Sequence, residues 1–125
     1  VKRGDVYLAD LNPVKGSEQA GRRPVLIYQD NRLFQATRTV IVIPFTTNLK
    51  LEKLPSGVLV PAGEGGLRQD SVALCHQIRA LDKKGMMKHW GSLPENRMTI
   101  VDRVVLRTIG VCISKLDPTV PKNKD

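Results

Sequence analysis

Thr39-Val40-Ile41-Val42-Ile43 is the strongest β-branched run in the chain, and its reading decides the fold. Valine, isoleucine and threonine are stiff at χ1 and pack well on a pleated surface, so the run is predicted to form a central strand. Pro44 follows it. Proline cannot donate to a sheet ladder, so the strand should end there, bulge there or lie at an edge. Outward from this run the apolar segments stay short. Upstream, Asp5-Val6-Tyr7-Leu8-Ala9-Asp10-Leu11 alternates as a half-buried strand does, and Asn12-Pro13 marks a turn. Val25 to Tyr28 is a continuous apolar run, broken by Gln29-Asp30-Asn31. Downstream, Val58-Leu59-Val60 reads as a short strand, and Ser71 to Ala80 reads as one long strand.

Helical signals come late. Ser92-Leu93-Pro94-Glu95 has capping-box spacing, with proline at a plausible first helical position. Met98, Val101, Val105, Leu106 and Ile109 then recur near the 3.6 period, and Gly110 suits a left-handed cap. Residues 82–90 read as a weaker helix interrupted by Gly85. Short strands with Gly and Pro turns, then a terminal helix, predict a mainly β fold with added helices, arranged as a small barrel. One domain is expected over residues 1–117, with a charged tail over 118–125.

The 125 residues are enough to bury a real core. Hydrophobic residues make up 41% and charged residues 26%, which is ordinary for a soluble globular protein. The 20 basic against 12 acidic residues give a net charge of +8, which favours an acidic partner, nucleic acid foremost. Cys75 and Cys112 lie in apolar runs and read as small buried hydrophobes, not as a disulfide scaffold. The histidines are His76 and His89, and no metal-ligand spacing is present, so no metal or cofactor is expected. No apolar run is long enough to span a bilayer and no leader-like stretch opens the chain, so the expected compartment is the cytoplasm.

Three polar groups stand at the ends of apolar strands. They are Ser17-Glu18-Gln19 with Arg22 and Arg23, then Thr46-Thr47-Asn48, then His76-Gln77 with Arg79. In a rolled sheet, strand ends can converge on one face. Together these residues supply forked cations for a phosphate, hydroxyls, amides and one group that titrates near neutrality. That inventory suits cleavage of RNA by its own 2′-hydroxyl. The reaction needs a base, a proton donor to the leaving oxygen and positive charge on the phosphorane. It needs neither a metal nor a protein nucleophile. Each piece has a plainer reading. His76 alone is most often structural, a threonine pair often bonds its own backbone, and Glu18 could balance an arginine. The combination favours function. His89, Met86 and Met87 read as structural.

The same segments carry a family likeness. Arg3-Gly4-Asp5-Val6-Tyr7, Asp10-Leu11-Asn12-Pro13, Gly16-Ser17-Glu18-Gln19 and Arg23-Pro24-Val25-Leu26-Ile27 are followed by Pro44-Phe45-Thr46-Thr47-Asn48. Asp70-Ser71-Val72-Ala73-Leu74 and Gln77-Ile78-Arg79-Ala80-Leu81-Asp82-Lys83 complete the series. In this order the chain resembles the MazF/PemK toxins, the endoribonuclease (mRNA interferase) halves of bacterial type II toxin–antitoxin pairs. The resemblance implies an SH3-like small β-barrel with a C-terminal helix, assembled as a homodimer. It implies metal-independent, sequence-specific cutting of single-stranded RNA, mostly messenger RNA, which leaves 2′,3′-cyclic phosphate and 5′-hydroxyl ends and inhibits translation. An acidic, MazE-like antitoxin is implied as partner, threading a disordered tail into the RNA groove. The implied catalytic residues are Arg23 and Thr46, with His76 standing where many relatives carry an acidic residue. Ser17, Glu18, Gln19, Arg22, Thr47, Asn48, Gln77 and Arg79 are the expected RNA contacts. The dimer is expected to involve part of segment 98–111 and strand 39–43.

Two alternatives remain at this level. One is a toxin of the same fold that binds a protein, as CcdB-like gyrase poisons do, which leaves the loop arginines and Thr46 without a purpose. The other is a non-catalytic nucleic-acid-binding barrel. Such modules usually stack bases on aromatic side chains, and aromatics make up only 4% of this chain.

Overall fold

The structure is a computed structural model that describes residues 1–12, 16, 18–112 and 114. In chain order the elements are β1 (Asp5–Asp10), β2 (Arg22–Ile27), α1 (Leu33–Ala36), β3 (Thr39–Thr46), β4 (Gly57–Val60), β5 (Ser71–Leu74), β6 (Arg79–Asp82), β7 (Met86–Ser92) and α2 (Glu95–Thr108). The strands form one antiparallel sheet in the order β4-β5-β3-β2-β1-β7, with β6 also paired to β3. This matches the mainly β, barrel-like expectation, although the sheet is not closed by hydrogen bonds between its outer strands.

β3 is the central strand, and it runs straight through Pro44. One edge of β3 pairs with β2, with Val25 opposite Pro44 and Ile27 opposite Val42. The other edge changes partner along its length. Residues 39–42 pair with β6, and Phe45 and Thr46 pair with β5. Pro44 falls in the gap between the two partners, where a missing N–H costs no ladder bond. The segment predicted as one long strand over 71–80 is therefore two strands on the same edge. Between Ala73 and Arg79 it is longer than the stretch of β3 it covers, and the surplus is looped out as a 3-10 turn over Cys75–Gln77.

Period-two alternation divides the core between the two faces of the sheet. On one face Val6, Leu26, Ile43 and Phe45 meet Met98, Val101, Val104 and Val105 of α2. Each fully buried side chain of this kind contributes about 1.5–3 kcal/mol, so the apolar stripe of α2 seats it. Two polar tethers fix its direction. Arg97 forks onto Glu64 at 3.0 and 2.8 Å, and Tyr28 donates to Asp102 at 2.6 Å while Arg3 pairs with the same carboxylate. The helix ends in a Schellman motif. Gly110, at φ +79°, donates to the Arg107 carbonyl and Val111 donates to the Leu106 carbonyl. On the other face a smaller cluster joins Ala9, Leu11, Val25, Ile27, Val40, Val42 and Leu81.

Two expectations about local structure between residues 82 and 95 need correction. Residues 86–92 form β7 and not part of a helix over 82–90; only Lys83–Gly85 makes a helical turn, of the 3-10 type. Pairing with β1, Asp5 opposite Ser92 and Tyr7 opposite His89, outweighs the helix propensity of methionine and lysine. Ser92 is not a helix cap. It ends β7 and its hydroxyl donates to Asp5 at 2.6 Å, while Pro94 occupies the cap position without a side-chain bond. Strand 39–43, expected near a dimer interface, is paired along both edges, and its Val40, Val42 and Ile43 are buried inside the protomer. Cys75 is buried as expected, whereas Cys112 is exposed. The 118–125 tail lies outside the described residues. Among those residues no helix is long and apolar enough to cross a membrane.

Candidate nucleic-acid interface and active site

Arg23 and Thr46 are placed together by strand register. The β2–β3 ladder pairs Val25 with Pro44, and each of the two site residues lies two positions beyond that pair at the same end. Two positions preserve the face of a strand, so Arg23 and Thr46 share one face of the sheet. Arg79 lies on that face too, because it pairs with Val42.

The loop that precedes β2 is shaped to hold Arg23. Leu11 donates to the Gly21 carbonyl at 2.9 Å, and Gly21 donates to the Asn12 side chain at 3.2 Å, which closes the neck of the loop. Gly21 takes φ +75°, a turn that L side chains rarely adopt, and the chain then enters β2 directly. Arg23 is half-buried and its Nε donates to the Ala20 carbonyl at 2.8 Å. That bond fixes the guanidinium by its base and leaves both terminal nitrogens as a fork. Arg22, its neighbour, is exposed and sits opposite Asp10. Glu18 is exposed, and no ion pair joins it to Arg22 or Arg23 among the described residues.

Thr46 is buried, 5% exposed, and its Oγ1 accepts from the Asn48 amide at 3.2 Å. The hydroxyl proton is not used in that bond and remains available to an oxygen of a ligand. Asn48 caps the following 3-10 turn by accepting from Lys50 at 3.3 Å, and Thr47 is exposed beside it. Gln77 joins two of the polar groups. Its Oε1 accepts from the Gln19 amide at 2.8 Å, which ties the Cys75–Gln77 turn to the arginine loop. His76, one residue earlier, is directed elsewhere. Its Nδ1 lies 2.7 Å from the hydroxyl of Ser56, in the turn that leads to β4. Ser17 lies outside the described residues. Among them, no three His, Cys, Asp or Glu side chains gather as a metal site.

The arrangement is thus an anchored cation and a buried hydroxyl on one sheet face, with a loop latched beside them. The family model described as PemK-like, MazF-like toxin of type II toxin–antitoxin systems matches residues 2–109. The chain belongs to this toxin family. It is 42% identical over 111 residues to the endoribonuclease MazF of Staphylococcus epidermidis, covering 89% of this chain and 92% of the relative. Among solved structures, MazF from Deinococcus radiodurans superposes with a TM-score of 0.77 at 24% identity, covering 89% of this chain and 97% of that one. An endoribonuclease solved in complex with its cognate antitoxin, from a mycobacterial species, gives a TM-score of 0.74 at 20% identity and covers 90% and 97%. At such identities these two likenesses show the fold of the toxins.

Two features of this candidate site were not legible in the sequence. One is the Ala20 carbonyl that anchors Arg23, since any residue type carries a carbonyl. The other is Ser56, which meets His76 only through the pairing of Gly57 with Leu74 at the start of β4.

Proposed function

We propose that this protein is a sequence-specific endoribonuclease that cuts single-stranded messenger RNA without a metal, as the toxin of a toxin–antitoxin pair. The observation that carries the reading is Arg23, half-buried, held at Nε and forked at its free end, beside the buried hydroxyl of Thr46. In this reading the scissile phosphate sits between them. Its neighbouring 2′-hydroxyl gives up its proton and attacks phosphorus, the bond to the 5′-oxygen breaks as that oxygen takes up a proton, and the products carry a 2′,3′-cyclic phosphate and a 5′-hydroxyl. The Arg23 fork stabilises the charge that grows on the equatorial oxygens, and the Thr46 hydroxyl donates to one of them. Gln19, Gln77, Arg79, Arg22, Thr47 and Asn48 bind the flanking RNA, with Glu18 and Ser17 on the loop. His76, bonded to Ser56 through Nδ1, keeps Nε2 for the RNA.

The toxin acts in the cytoplasm, where messenger RNA is translated, and an acidic antitoxin restrains it by folding a disordered segment onto the basic surface. A homodimer fits the exposed Ile100 and Ile109 of the α2 segment, which a second copy would cover. The test is cleavage of a long single-stranded RNA in excess EDTA. Cutting should persist, and RNA with a 2′-deoxy sugar at the cut position should bind and stay intact. Cleavage of that analogue, or loss of activity with the chelator, overturns the reading.

A further inference from the structure

The turn between β6 and β7 carries a second group of cations. Lys83 and Lys84 stand in the Lys83–Gly85 turn, and Arg38 stands just before β3. Strand register brings them together, because Thr39 is opposite Asp82. The Lys83 amide donates to the Arg38 carbonyl at 3.0 Å, and the Lys84 amide donates to the Asp82 carboxylate at 2.8 Å. These bonds fix the backbone of both segments. Between them opens a cleft of about 340 Å³, lined by Arg38, Asp82, Lys83 and Lys84. That volume falls in the range of small-ligand sites.

Charge decides what the cleft can take. Three cations face one carboxylate, so positive charge is in excess. Lys83 is held at its tip, where the ammonium donates to the Phe34 carbonyl and lies 4.1 Å from the centre of the Phe34 ring. Neither partner is charged, so the charge of Lys83 is not cancelled. Arg38 and Lys84 are exposed, and among the described residues no ion pair or hydrogen bond occupies either side chain. One offers a fork and the other a point charge, and both are donors only. The lining holds no apolar side chain. A disordered acidic segment that folds on its partner needs apolar burial to offset its ordering, whereas a phosphate needs only charge and donors. The cleft therefore suits a phosphate better than an acidic peptide.

The cleft also adjoins the arginine end of the candidate active site. A Cβ at Gly85 would stand 2.9 Å from the Asp10 carbonyl oxygen, so the turn lies against the end of β1. Asp10 is opposite Arg22, one strand spacing of about 4.8 Å away. From Arg23 the cations continue through Arg22, past Asp10, to Lys84 and Arg38. Next to the cleft in sequence, Val40 and Leu81 pack in the cluster on the face away from α2. The homodimer proposed through Ile100 and Ile109 does not claim this side of the molecule.

We infer that the cleft of Arg38, Lys83 and Lys84 is a phosphate-binding station for the RNA strand beyond the cut, reached along the rim from Arg22. The inference rests on the nuclease reading and extends it, since a long RNA then gains affinity that a short one cannot.

The experiment measures binding of single-stranded RNA of graded length to the full-length parent, to Arg38→Gln and to Lys84→Gln. Both side chains are exposed, so the melting temperatures should match the parent. On long RNA each substitution should weaken binding about two- to fivefold, the scale of one exposed ion pair, and lower the magnitude of the log–log salt slope by about 0.7. The ratio of long-RNA to short-RNA affinity should fall by the same factor. If the parent cuts RNA and neither variant moves the ratio or the slope, the station is overturned while the nuclease reading stands. If the parent binds RNA without cutting it and both variants still lower the ratio, the station stands and the nuclease reading falls. A mononucleotide that binds the parent as tightly as long RNA, and is lost in both variants, would make the cleft a small-molecule site and overturn the strand reading. Unchanged RNA binding with lost affinity for a poly-glutamate peptide would assign the cleft to an acidic protein and overturn the proposal as well.

Discussion

Arg23→Lys separates charge from geometry at the proposed active site. In the native chain the guanidinium is fixed through Nε on the Ala20 carbonyl at 2.8 Å, and that bond leaves the two terminal nitrogens unused. Lysine keeps the charge, has no Nε to anchor and offers no fork. A unit charge about 4 Å from a phosphate oxygen is worth about 4 kcal/mol at the effective dielectric near a protein surface. Removing the cation altogether, as in Arg23→Ala, should therefore slow cleavage by roughly 10²- to 10³-fold, the range of one lost oxyanion donor. Lysine restores most of the Coulomb attraction but loses one charge-assisted hydrogen bond, about 1.5–3 kcal/mol. Its rate should lie roughly ten- to a hundredfold below the parent. Single-turnover cleavage at saturating enzyme is the assay, because differences in ground-state binding drop out there. Arg22→Ala is the control. Arg22 is exposed across from Asp10, so its loss should weaken RNA binding modestly and leave the single-turnover rate near the parent value. A parent-like rate for Arg23→Lys would refute the forked geometry. A slow Arg22→Ala with a fast Arg23→Ala would show that the functional arginine is the other of the two.

Thr46→Val keeps the volume and removes the hydroxyl; it should slow the chemical step at least tenfold with little change in RNA affinity, and equal losses in both would point to misfolding instead. Gln77→Ala removes the acceptor of the Gln19 amide and should speed hydrogen exchange at that amide several-fold, read by NMR. Stability should fall in acid. Burial pushes the Asp5 carboxyl up, but bonds from Ser92 and the Lys2 amide, with His89, hold it below its ordinary value; the Arg97 fork does the same for Glu64. Depressed carboxyls contribute stability that is present above the unfolded values near about 4 and lost as pH falls through the folded ones. A melting temperature that stays level from about pH 5 to pH 2.5 would contradict this. Burial pushes the Cys75 thiol up to about 12, so it should resist alkylation at neutral pH until the protein unfolds, as mass spectrometry would report.

The central strand was legible because Thr39 to Ile43 admits no other structure, and α2 because its apolar residues keep the helical period to Ile109. β7 was not. Met86-Met87-Lys88-His89 carries helix formers on a strand with only intermediate and exposed residues, and its register with β1 is bulged twice. Such a strand exists because β1 offers it hydrogen bonds, and local sequence does not encode an offer made from far away. The same distance rule divides the site. Arg23 and Thr46 could be read from strand ends, since each precedes or follows an apolar run. The Ser56–His76 contact could not, because it depends on how β4 and β5 pair. The break between β5 and β6 was hidden by apolar residues that continue across the turn, where Cys75 is as buried as a strand residue would be.

The pairing of Asp5 with Ser92 has a consequence during synthesis. At about 5–20 residues per second, β1 leaves the ribosome roughly 5 to 15 seconds before its second partner exists. By the end of that interval the arginine loop, Thr46 and the Gln77 turn have been made. The face built from Val6, Leu26, Ile43 and Phe45 still lacks Met98, Val101, Val104 and Val105 from α2. A nascent chain at that point carries Arg23 and Thr46 on a sheet whose α2-facing side is still open. Closure of that face waits until α2 has been synthesised.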